Sequence, residues 1–253
     1  MMIRTKLSVN LNKIALLRNS RDGNWPDPVF FGELALSAGA AGLTVHPRPD
    51  ERHIRRSDVP SIAALVARYE GIEFNIEGNP FHNLMGHLES VRPHQATFVP
   101  DSENQKTSDH GFDLSDAGVR ESLRPLIARA KSFGCRVSLF MDPVPELMSA
   151  AQELGADRIE LYTEGWAKAF GTEREAEVLA GYAAAAKAAK EVGLGVNAGH
   201  DLSLENLERF LSACRVIDEV SIGHALVAEA LQFGMQETVR RYGEILDRVA
   251  EQR

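Results

Sequence analysis

The sequence has few of the residues that mark several large classes of protein. Of its 253 residues only two are cysteines, Cys135 and Cys214, which is too few for a disulfide framework, and their spacing is not that of a metal site. Both lie in apolar surroundings, FGCRV and LSACRV, so we expect buried, unreactive thiols. No apolar run approaches the ~20 residues of a membrane helix, and the start, MMIRTKLSVN, lacks the apolar core of a signal peptide. The expected location is a reducing cytoplasm.

The chain also lacks an excess of positive charge. It has 28 Lys and Arg against 36 Asp and Glu, a net charge of −8, which argues against a general binder of nucleic acid or membrane surfaces. A local basic pocket can still bind small anions, because salt screens a distant acidic surface over roughly 8–10 Å. Hydrophobic residues make up 44% of the chain, as in a folded domain with a core. No linker-like stretch divides it, so residues 1–253 are expected to form one domain.

What the sequence does contain is a regular alternation of short apolar runs and helical patterns. The segments between the runs have apolar residues at helical spacing and often end in glycine, as in AGVRESLRPLIARAKSFG. Strict alternation predicts a parallel sheet, and eight units predict an α/β fold closed into a (β/α)8 TIM barrel with extra helices; a doubly wound open sheet is the alternative. The predicted strands are residues 6–10, 42–46, 73–78, 96–100, 136–142, 158–163, 194–199 and 219–225.

Three segments between or after these strands carry further predictions. The polar stretch 101–112, DSENQKTSDHGF, is long for a connection of this kind and suits a mobile cover over a site. WAKAFGTERE, after the sixth strand, is expected to hold an additional short helix. The last helix is predicted to run from about Ala225 to Ala250.

The C-terminal strand ends, where the chemistry of such a barrel lies, are rich in ionisable side chains. Three imidazoles and three carboxylates would converge on one rim, and this convergence is the strongest functional signal that the residues themselves supply. The strand ends carry Asn10, His46, Glu77, Pro100, Asp142, Glu160, Asn197 with His200, and Gly223 with His224.

Each of these side chains also has a structural alternative. His46 would cap its strand, and Glu160 would pair with Arg136 or Arg158, because an unpaired buried carboxylate is costly. Asp142 precedes a proline and would cap a helix. Beside His200, a neighbouring aspartate or serine, Asp201 or Ser203, would serve as the N-cap of the next helix.

Phosphate is the ligand that the remaining features suit. The NAGH and IGHA turns follow the last two strands, where helix N-termini attract anions and where barrels commonly bind phosphate. Arg18 and Arg21 come from the first loop, and Arg48 and His53 from the second. Arginine forks bind phosphate oxygens in pairs. Two separate cationic groups would suit two phosphorylated substrates, although a solvated surface is the alternative for Arg18 and Arg21.

Seven stretches follow one another along nearly the whole chain: LSVNLNKIALLRNSRDGNWPDPV, GAAGLTVHPRPDERHI, FNIEG, VSLFMD, IELYT, VNAGHDL and IGHALV. In this order they resemble the pyridoxine 5′-phosphate synthase family of vitamin B6 biosynthesis. The resemblance implies a barrel that often assembles as a homo-octamer and needs no metal or organic cofactor. It implies a transferase that condenses 3-amino-2-oxopropyl phosphate with 1-deoxy-D-xylulose 5-phosphate. The implied products are pyridoxine 5′-phosphate, inorganic phosphate and water.

The resemblance also implies roles for individual residues. His46 and Glu77 match the family's general bases, His200 its general acid, and Glu160 a carboxylate that stabilises the transition state. The positions that match substrate-binding residues are Asn10, Arg21, Arg48, His53, Thr107, Gly223 and His224.

Two substrate-binding stretches depart from the common family pattern. Near the first strand the common family pattern is Val-Asn-Ile-Asp-His, and this chain has Asn12 and Lys13 in place of its Asp and His. After the position that matches the family's general acid, the family has a glycine, and this chain has Asp201. Lys13 would meet an anion as a fixed charge rather than as a titrating imidazole. The carboxylate of Asp201 would either repel a bound phosphate or turn away from it.

Two other classes of function remain open. A metal-dependent barrel hydrolase or isomerase would use the same histidines and carboxylates on Zn or Mn, although no HxH or HExxH spacing is present. A non-catalytic paralogue that binds a phosphorylated metabolite is suggested by Lys13 and Asp201. Stoichiometric bound metal would indicate the first class. Thermal stabilisation by ligand without turnover would indicate the second.

Overall fold

The computed structural model describes residues 4–102, 105 and 107–252 and centres on a closed barrel of parallel strands. Each strand pairs with the next in chain order, and the last pairs with the first. The predicted TIM barrel is confirmed, and the open-sheet alternative is wrong. The strands are β1 (Lys6–Asn10), β2 (Gly42–Val45), β3 (Glu73–Gly78), β4 (Gln95–Phe98), β5 (Arg136–Met141), β6 (Arg158–Tyr162), β7 (Gly195–Gly199) and β8 (Glu219–Ile222).

Helices surround the barrel and cover its apolar outer face. Within the described ranges, none of them is long and apolar enough to cross a membrane. A 3-10 helix, Pro145–Leu147, accompanies them. The α-helices are α1 (Asn12–Asn19), α2 (Pro28–Ser37), α3 (Asp58–Val66), α4 (Leu84–Val91), α5 (Ala117–Ser132), α6 (Met148–Glu153), α7 (Glu164–Ala169), α8 (Glu175–Glu191), α9 (Leu207–Ala213), α10 (His224–Phe233) and α11 (Met235–Glu251).

The helices after β6 and β8 test two of the predictions. The short extra helix after the sixth strand is α7, so that prediction is confirmed. The prediction of one last helix from about Ala225 to Ala250 is wrong, because α10 and α11 are separated at Gly234. Gly234 has φ +82° and ψ 151°, a conformation that only glycine adopts at little cost, and it ends α10 there.

The barrel interior is polar. Gln95 on β4 donates to Glu219 Oε1 on β8 at 3.4 Å, and since these strands are not neighbours, the contact crosses the interior. Asn197 on β7 donates to the same oxygen at 3.3 Å, and Thr97 donates to Asn75 at 3.1 Å. Most TIM barrels fill this space with branched aliphatic side chains. Here burial raises the pKa of Glu219, although the nearby charge of Arg158 opposes the rise.

The segment between β4 and α5 is anchored at both ends to the C-terminal side of the barrel. Asn79 donates to the carbonyl of Asp101 at 2.9 Å, and Phe112 N–H donates to Phe140 O at 2.9 Å. Gly111 lies so close to β5 that a Cβ would be 2.5 Å from the Cα of Met141. The segment therefore lies over the strand ends, as a cover would. Residues 103, 104 and 106 lie outside the described residues, and the mobility of the cover stays a prediction.

Both cysteines are buried and free, as expected. Burial raises the pKa of the Cys135 thiol to about 11 and that of Cys214 to about 12. The predicted burial is confirmed. Because the thiolate is the reactive form, these raised pKa values support the prediction of unreactive thiols, which stays a prediction.

Candidate active site

A cavity of about 390 Å³ opens at the C-terminal ends of the strands and brings the predicted site residues together. Of the fourteen, only Arg21 is not among the lining residues, and it is exposed. The sequence-based prediction missed several other lining residues, including Leu16, Ser108 and Phe140. The predicted residues that line the cavity are Asn10, Asn12, Lys13, His46, Arg48, His53, Glu77, Thr107, Glu160, His200, Asp201, Gly223 and His224.

His46 follows β2 directly and is fixed by the end of β1. Its backbone N–H donates to Asn12 Oδ1 at 2.8 Å, and Asn12 N–H donates in turn to Asn10 Oδ1 at 3.0 Å. The ring lies between two carboxylates, with Nδ1 3.9 Å from Glu77 Oε2 and Nε2 3.9 Å from Asp101 Oδ2. The alternative role of His46 as a mere strand cap is not supported, because the imidazole faces the cavity.

The electrostatic surroundings keep the His46 imidazole neutral. Burial holds its pKa well below the usual value, and the nearby His53, Arg48 and Arg52 add to this effect. Both desolvation and neighbouring positive charge disfavour the imidazolium. His46 is therefore a proton acceptor at neutral pH.

Glu77, near the end of β3, titrates close to neutrality. Its side chain is 12% exposed, and Oε2 accepts a hydrogen bond from Asn10 Nδ2 at 3.3 Å. Burial raises its pKa to about 7, and Asp101 contributes in the same direction, whereas His200 and Asn10 oppose the shift. A carboxyl group with such a pKa can both accept and return a proton at physiological pH.

Glu160 on β6 is more deeply buried than Glu77. Only 3% of the residue is exposed, and its Oε2 has no hydrogen-bond partner within the described part of the chain. Burial raises its pKa well above the usual value, and Glu77 and Glu219 add to the rise. The predicted alternative, a salt bridge to an arginine, is not formed, because Arg158 turns towards Glu219 at 3.8 Å. Burial therefore favours the neutral, protonated form of Glu160.

His200 lies opposite, after β7. Its Nδ1 is 2.6 Å from Asp201 Oδ2, and its Nε2 is 2.8 Å from Thr107 Oγ1. Burial lowers the pKa of this imidazole, but the hydrogen bond and charge of Asp201, with the charge of Glu77, raise it above the usual value overall. His200 thus holds its proton more strongly than a free imidazole, the opposite of His46, and the two imidazoles suit opposite roles in proton transfer.

The loop after β2 brings Arg48 and His53 to the same cavity. The Arg48 guanidinium contacts the Asp101 carboxylate and donates to Gln105 O at 2.6 Å. Burial lowers the pKa of His53 to about 3, with Arg48 adding to the effect. Its Nδ1 accepts from Ile54 N–H at 2.9 Å, so Nε2 carries the proton of the neutral ring and can donate to an anion.

Asp101 is a buried residue that sequence reasoning did not single out. Oδ2 accepts hydrogen bonds from Arg48 and, at 2.9 Å, from Ser108, while Oδ1 has no partner within the described ranges. Burial raises the pKa of this carboxyl despite the adjacent Arg48. Its position directly after the fourth predicted strand could have indicated a site residue. Asp101 is also the first residue of the polar stretch 101–112, so it was interpreted as part of that loop.

The turn after β8 is built as expected for an anion site. Gly223 precedes α10, whose first residue is His224, so the helix N-terminus faces the cavity. A Cβ on Gly223 would lie 3.1 Å from the Cβ of Asn10, which is why a glycine fits this close approach. Backbone N–H groups at a helix start attract phosphate.

Three polar residues at or after the strand ends, Asp142, Asn197 and Asn206, have other roles. Asp142 accepts from Gly111 N–H at 3.2 Å and does not line the cavity. Asn197 lies deeper, where Arg158 donates to it at 2.9 Å. The N-cap position of α9 is occupied by Asn206, so the alternative prediction that Asp201 or Ser203 would be that N-cap is wrong.

Arg18 is not a phosphate ligand. Its guanidinium binds both carboxylate oxygens of Asp58, at 2.7 and 2.8 Å, and donates to His53 O at 3.0 Å. Only 3% of its side chain is exposed. The structure therefore corrects this prediction: Arg18 fixes the loop that carries Arg48 and His53, and both sites of its fork are occupied.

Replacing Arg18 with methionine is expected to destabilise the protein by about 3 kcal/mol. This is the low end for breaking a buried ion pair, since the partner Asp58 keeps 12% exposure. Urea unfolding of Arg18→Met and of the matched control Arg21→Met measures the difference. Arg21 is exposed, so its substitution should change the free energy of unfolding by less than about 0.5 kcal/mol. Equal losses in the two variants would refute the structural role of Arg18.

The donors needed for a metal-dependent mechanism do not converge. Among residues 4–102, 105 and 107–252, no group of three or more His, Cys, Asp or Glu side chains is arranged to hold a metal ion. The geometry therefore gives no support to the metal-dependent hydrolase or isomerase.

The fold and the site together define a (β/α)8-barrel enzyme with histidine and carboxyl side chains gathered in one cavity at the strand ends. Residues 7–248 match the family described as pyridoxal phosphate biosynthesis protein PdxJ, and the chain belongs to this family.

Curated relatives agree with this assignment. The chain is 56% identical over 243 residues to the pyridoxine 5′-phosphate synthase of Albidiferax ferrireducens, covering 94% of this chain and 96% of that protein. It is 52% identical to the enzyme of the same name from Xylella fastidiosa, covering 97% and 96%.

Solved structures with low sequence identity share the fold alone. Tryptophan synthase from M. tuberculosis has a TM-score of 0.66 at 12% identity, covering 97% of this chain and 93% of that one. Phosphoribosyl anthranilate isomerase from Thermus thermophilus has a TM-score of 0.56 at 15% identity, covering 98% and 100%.

Proposed function

We propose that the chain is a pyridoxine 5′-phosphate synthase, which condenses 3-amino-2-oxopropyl phosphate with 1-deoxy-D-xylulose 5-phosphate. The products are pyridoxine 5′-phosphate, inorganic phosphate and water. One observation carries the proposal: four groups with different proton affinities, His46, Glu77, Glu160 and His200, line a single cavity beside anion-binding groups. Family membership and the curated relatives support the same activity.

The reaction moves protons at almost every step. Amine attack on a ketone, loss of phosphate, enolisation, water addition and ring closure transfer protons among carbon, oxygen and nitrogen. His46, neutral at pH 7, and Glu77, with a pKa of about 7, accept protons, and His200 donates one. The neutral carboxyl of Glu160 donates a hydrogen bond to oxygen atoms that gain negative charge. Environments that separate the proton affinities of neighbouring groups are how one site performs acid and base chemistry together.

Two groups of anion-binding residues hold the two phosphorylated substrates. Lys13 at the start of α1, with Arg48 and His53 from the loop after β2, forms one group, and Gly223 with His224 forms the other at the start of α10. Holding both reactants in one cavity replaces a bimolecular encounter with an effectively unimolecular step. The exposed Arg21 is proposed as a substrate-binding residue on the resemblance alone.

The test is a two-substrate product assay. The purified protein should form pyridoxine 5′-phosphate only when both phosphorylated substrates are present, without added metal or organic cofactor. Omission of either substrate is the control. Thermal stabilisation by the substrates without product would instead indicate the non-catalytic, metabolite-binding paralogue, and the proposal would then fail.

Glu160→Gln is expected to raise stability selectively at alkaline pH. Burial raises the pKa of Glu160 in the folded protein, so its contribution to stability is complete below the unfolded-state pKa near 4.5 and is lost as pH rises. An amide cannot ionise, so the variant should have a Tm above that of the wild type by roughly 2–4 °C at pH 8. At pH 4.5 the two proteins should differ less. Thermal melts across pH 4.5–8 measure this, and a pH-independent difference would contradict it.

The chain is also proposed to be a cytoplasmic homo-oligomer, an octamer by resemblance. Two aromatic side chains near the start of α2 support association, since Trp25 and Phe30 are 66% and 44% exposed with ring centroids 5.3 Å apart. Exposed apolar patches commonly mark interaction surfaces. Light scattering on the purified protein measures the assembly, and a monomer at micromolar concentration would contradict it.

A further inference from the structure

We propose that Asp201 is a positioning residue for His200, which fixes the ring with its Nε2–H directed into the cavity and stabilises the proton-donating imidazolium. This inference rests on the proposed function, in which His200 is the general acid. The resemblance instead places residue 201 among the substrate-binding positions, where a carboxylate would meet a bound phosphate.

The carboxylate of Asp201 is engaged with the imidazole. Its Oδ2 lies 2.6 Å from His200 Nδ1, and the two side chains are 29% and 28% exposed. Because a carboxylate only accepts hydrogen bonds, Nδ1 must carry a proton. This fixes which ring nitrogen is protonated and leaves Nε2 on the cavity side, where it lies 2.8 Å from Thr107 Oγ1.

The backbone of Asp201 is held from two sides, which makes its carboxylate a fixed support. Its N–H donates to Thr163 Oγ1 at 3.2 Å, and its carbonyl accepts from Asn206 Nδ2 at 3.1 Å. His200 itself has φ +81°, a conformation that costs a non-glycine residue about 1 kcal/mol or more. Backbone strain at this one residue directs the ring into the cavity, and the Asp201 contact keeps it there.

Two other roles for Asp201 fit the structure less well. It does not cap α9, because Asn206 occupies that position. It is poorly suited to binding phosphate, because two anions in contact repel each other. A carboxylate that accepts a hydrogen bond from one ring nitrogen commonly orients a histidine whose other ring nitrogen performs acid–base chemistry.

The charged and polar groups that face His200 determine how strongly Asp201 affects the pKa of its imidazole. Asp201 comes from its own loop, Glu77 from β3 and Lys13 from α1, while Thr107 and the edge of the Tyr162 ring complete the surroundings. Burial and the charge of Lys13 lower the pKa of His200, and both carboxylates raise it. Without the Asp201 charge, only Glu77 would oppose burial and Lys13. The imidazolium would then lose its proton at lower pH.

The experiment compares Asp201→Asn and Asp201→Gly with the wild type over the whole pH range of activity. In the amide variant we expect the alkaline limb of the kcat profile to move to lower pH by about one unit, the size expected for loss of a contacting opposite charge. The loss of kcat should therefore be larger at the alkaline end than at the acid end. The glycine variant should show the same shift with a larger loss at every pH, because it removes orientation as well as charge. Glu244→Gln, an exposed carboxylate on α11, is the matched control and should leave the limb in place.

The pKa of His200, measured by NMR on the unliganded protein, provides a readout that needs no turnover. It should be lower in Asp201→Asn than in the wild type. An unchanged alkaline limb with an unchanged NMR pKa would overturn the proposal, as would a lower KM for a phosphorylated substrate without a limb shift, which would assign Asp201 to phosphate repulsion. A uniform loss at every pH would reduce Asp201 to a structural role. Absence of product from the wild type, with the NMR pKa still dependent on Asp201, would refute the proposed function and leave the pairing intact.

Discussion

His46→Ala is expected to lower kcat by about 10²–10⁴-fold, the range for removal of a general base. The imidazole is neutral at physiological pH because burial and the neighbouring His53 and Arg48 disfavour its protonated form. The opposite imidazole, His200, is a poor replacement, because it holds its proton more strongly than a free imidazole does. Steady-state formation of pyridoxine 5′-phosphate with both substrates at saturation measures the effect.

The matched control for this variant is His82→Ala. His82 is exposed and does not line the large cavity, although it borders a smaller cavity of about 200 Å³ on the far side of His46. Its removal should change kcat by less than about threefold, since no proton transfer depends on it. A circular dichroism melt shows whether His46→Ala remains folded, and His46→Gln, which preserves side-chain volume better, provides a second variant. If the folded His46 variants retain more than a tenth of the wild-type kcat, His46 is not the base.

The fold was predictable because the barrel repeats one local pattern eight times. Strands such as Lys6–Asn10 and Glu73–Gly78 have the predicted bounds, since an apolar run with helical patterns on both sides has few alternatives. The last helix was predicted wrongly for a physical reason. Apolar spacing continues across Gly234, and only the backbone conformation of that glycine separates α10 from α11.

The site was predictable to the extent that it depends on strand ends. His46, Glu77 and His200 follow from position along the chain alone, because parallel strands in a barrel end on the same face. Arg18 and Arg21 could not be distinguished in this way, since both lie in one polar loop. What separates them is the position of Asp58, forty residues after Arg18, which binds one and not the other.

Side-chain depth was the other quantity that sequence could not supply. Asn197 and Glu160 both lie within predicted strands, but Glu160 lines the cavity whereas Asn197 bonds to Arg158 and Glu219 in the barrel interior. The two residues are paired in register across β6 and β7, so their different depths depend on the tilt and stagger of the strands in the closed barrel. The raised proton affinity of Glu77 has the same origin, because it depends on burial produced by residues distant in sequence.

Glu77→Gln is expected to lower kcat by about 10²–10³-fold and to remove the acid limb of the pH profile. The wild type should lose kcat/KM as pH falls through about 7, because Glu77 titrates there and its protonated form cannot act as a base. Glutamine keeps the contact with Asn10 but cannot accept a proton. The residual activity of the variant should therefore show no inflection near pH 7. The alkaline limb set by His200 should persist but move to lower pH, because the charge of Glu77 also raises the pKa of His200.

Glu33→Gln is a matched control, because this carboxylate is exposed on α2 and pairs with Arg68 at the surface. It should keep both the rate and the inflection near pH 7. The two limbs of the profile then report on different residues: the acid limb disappears with Glu77→Gln, and the alkaline limb moves with Asp201→Asn. If Glu77→Gln retains the acid limb, another group with a pKa near 7 is the base, and the assignment of opposite proton-transfer roles to Glu77 and His200 fails.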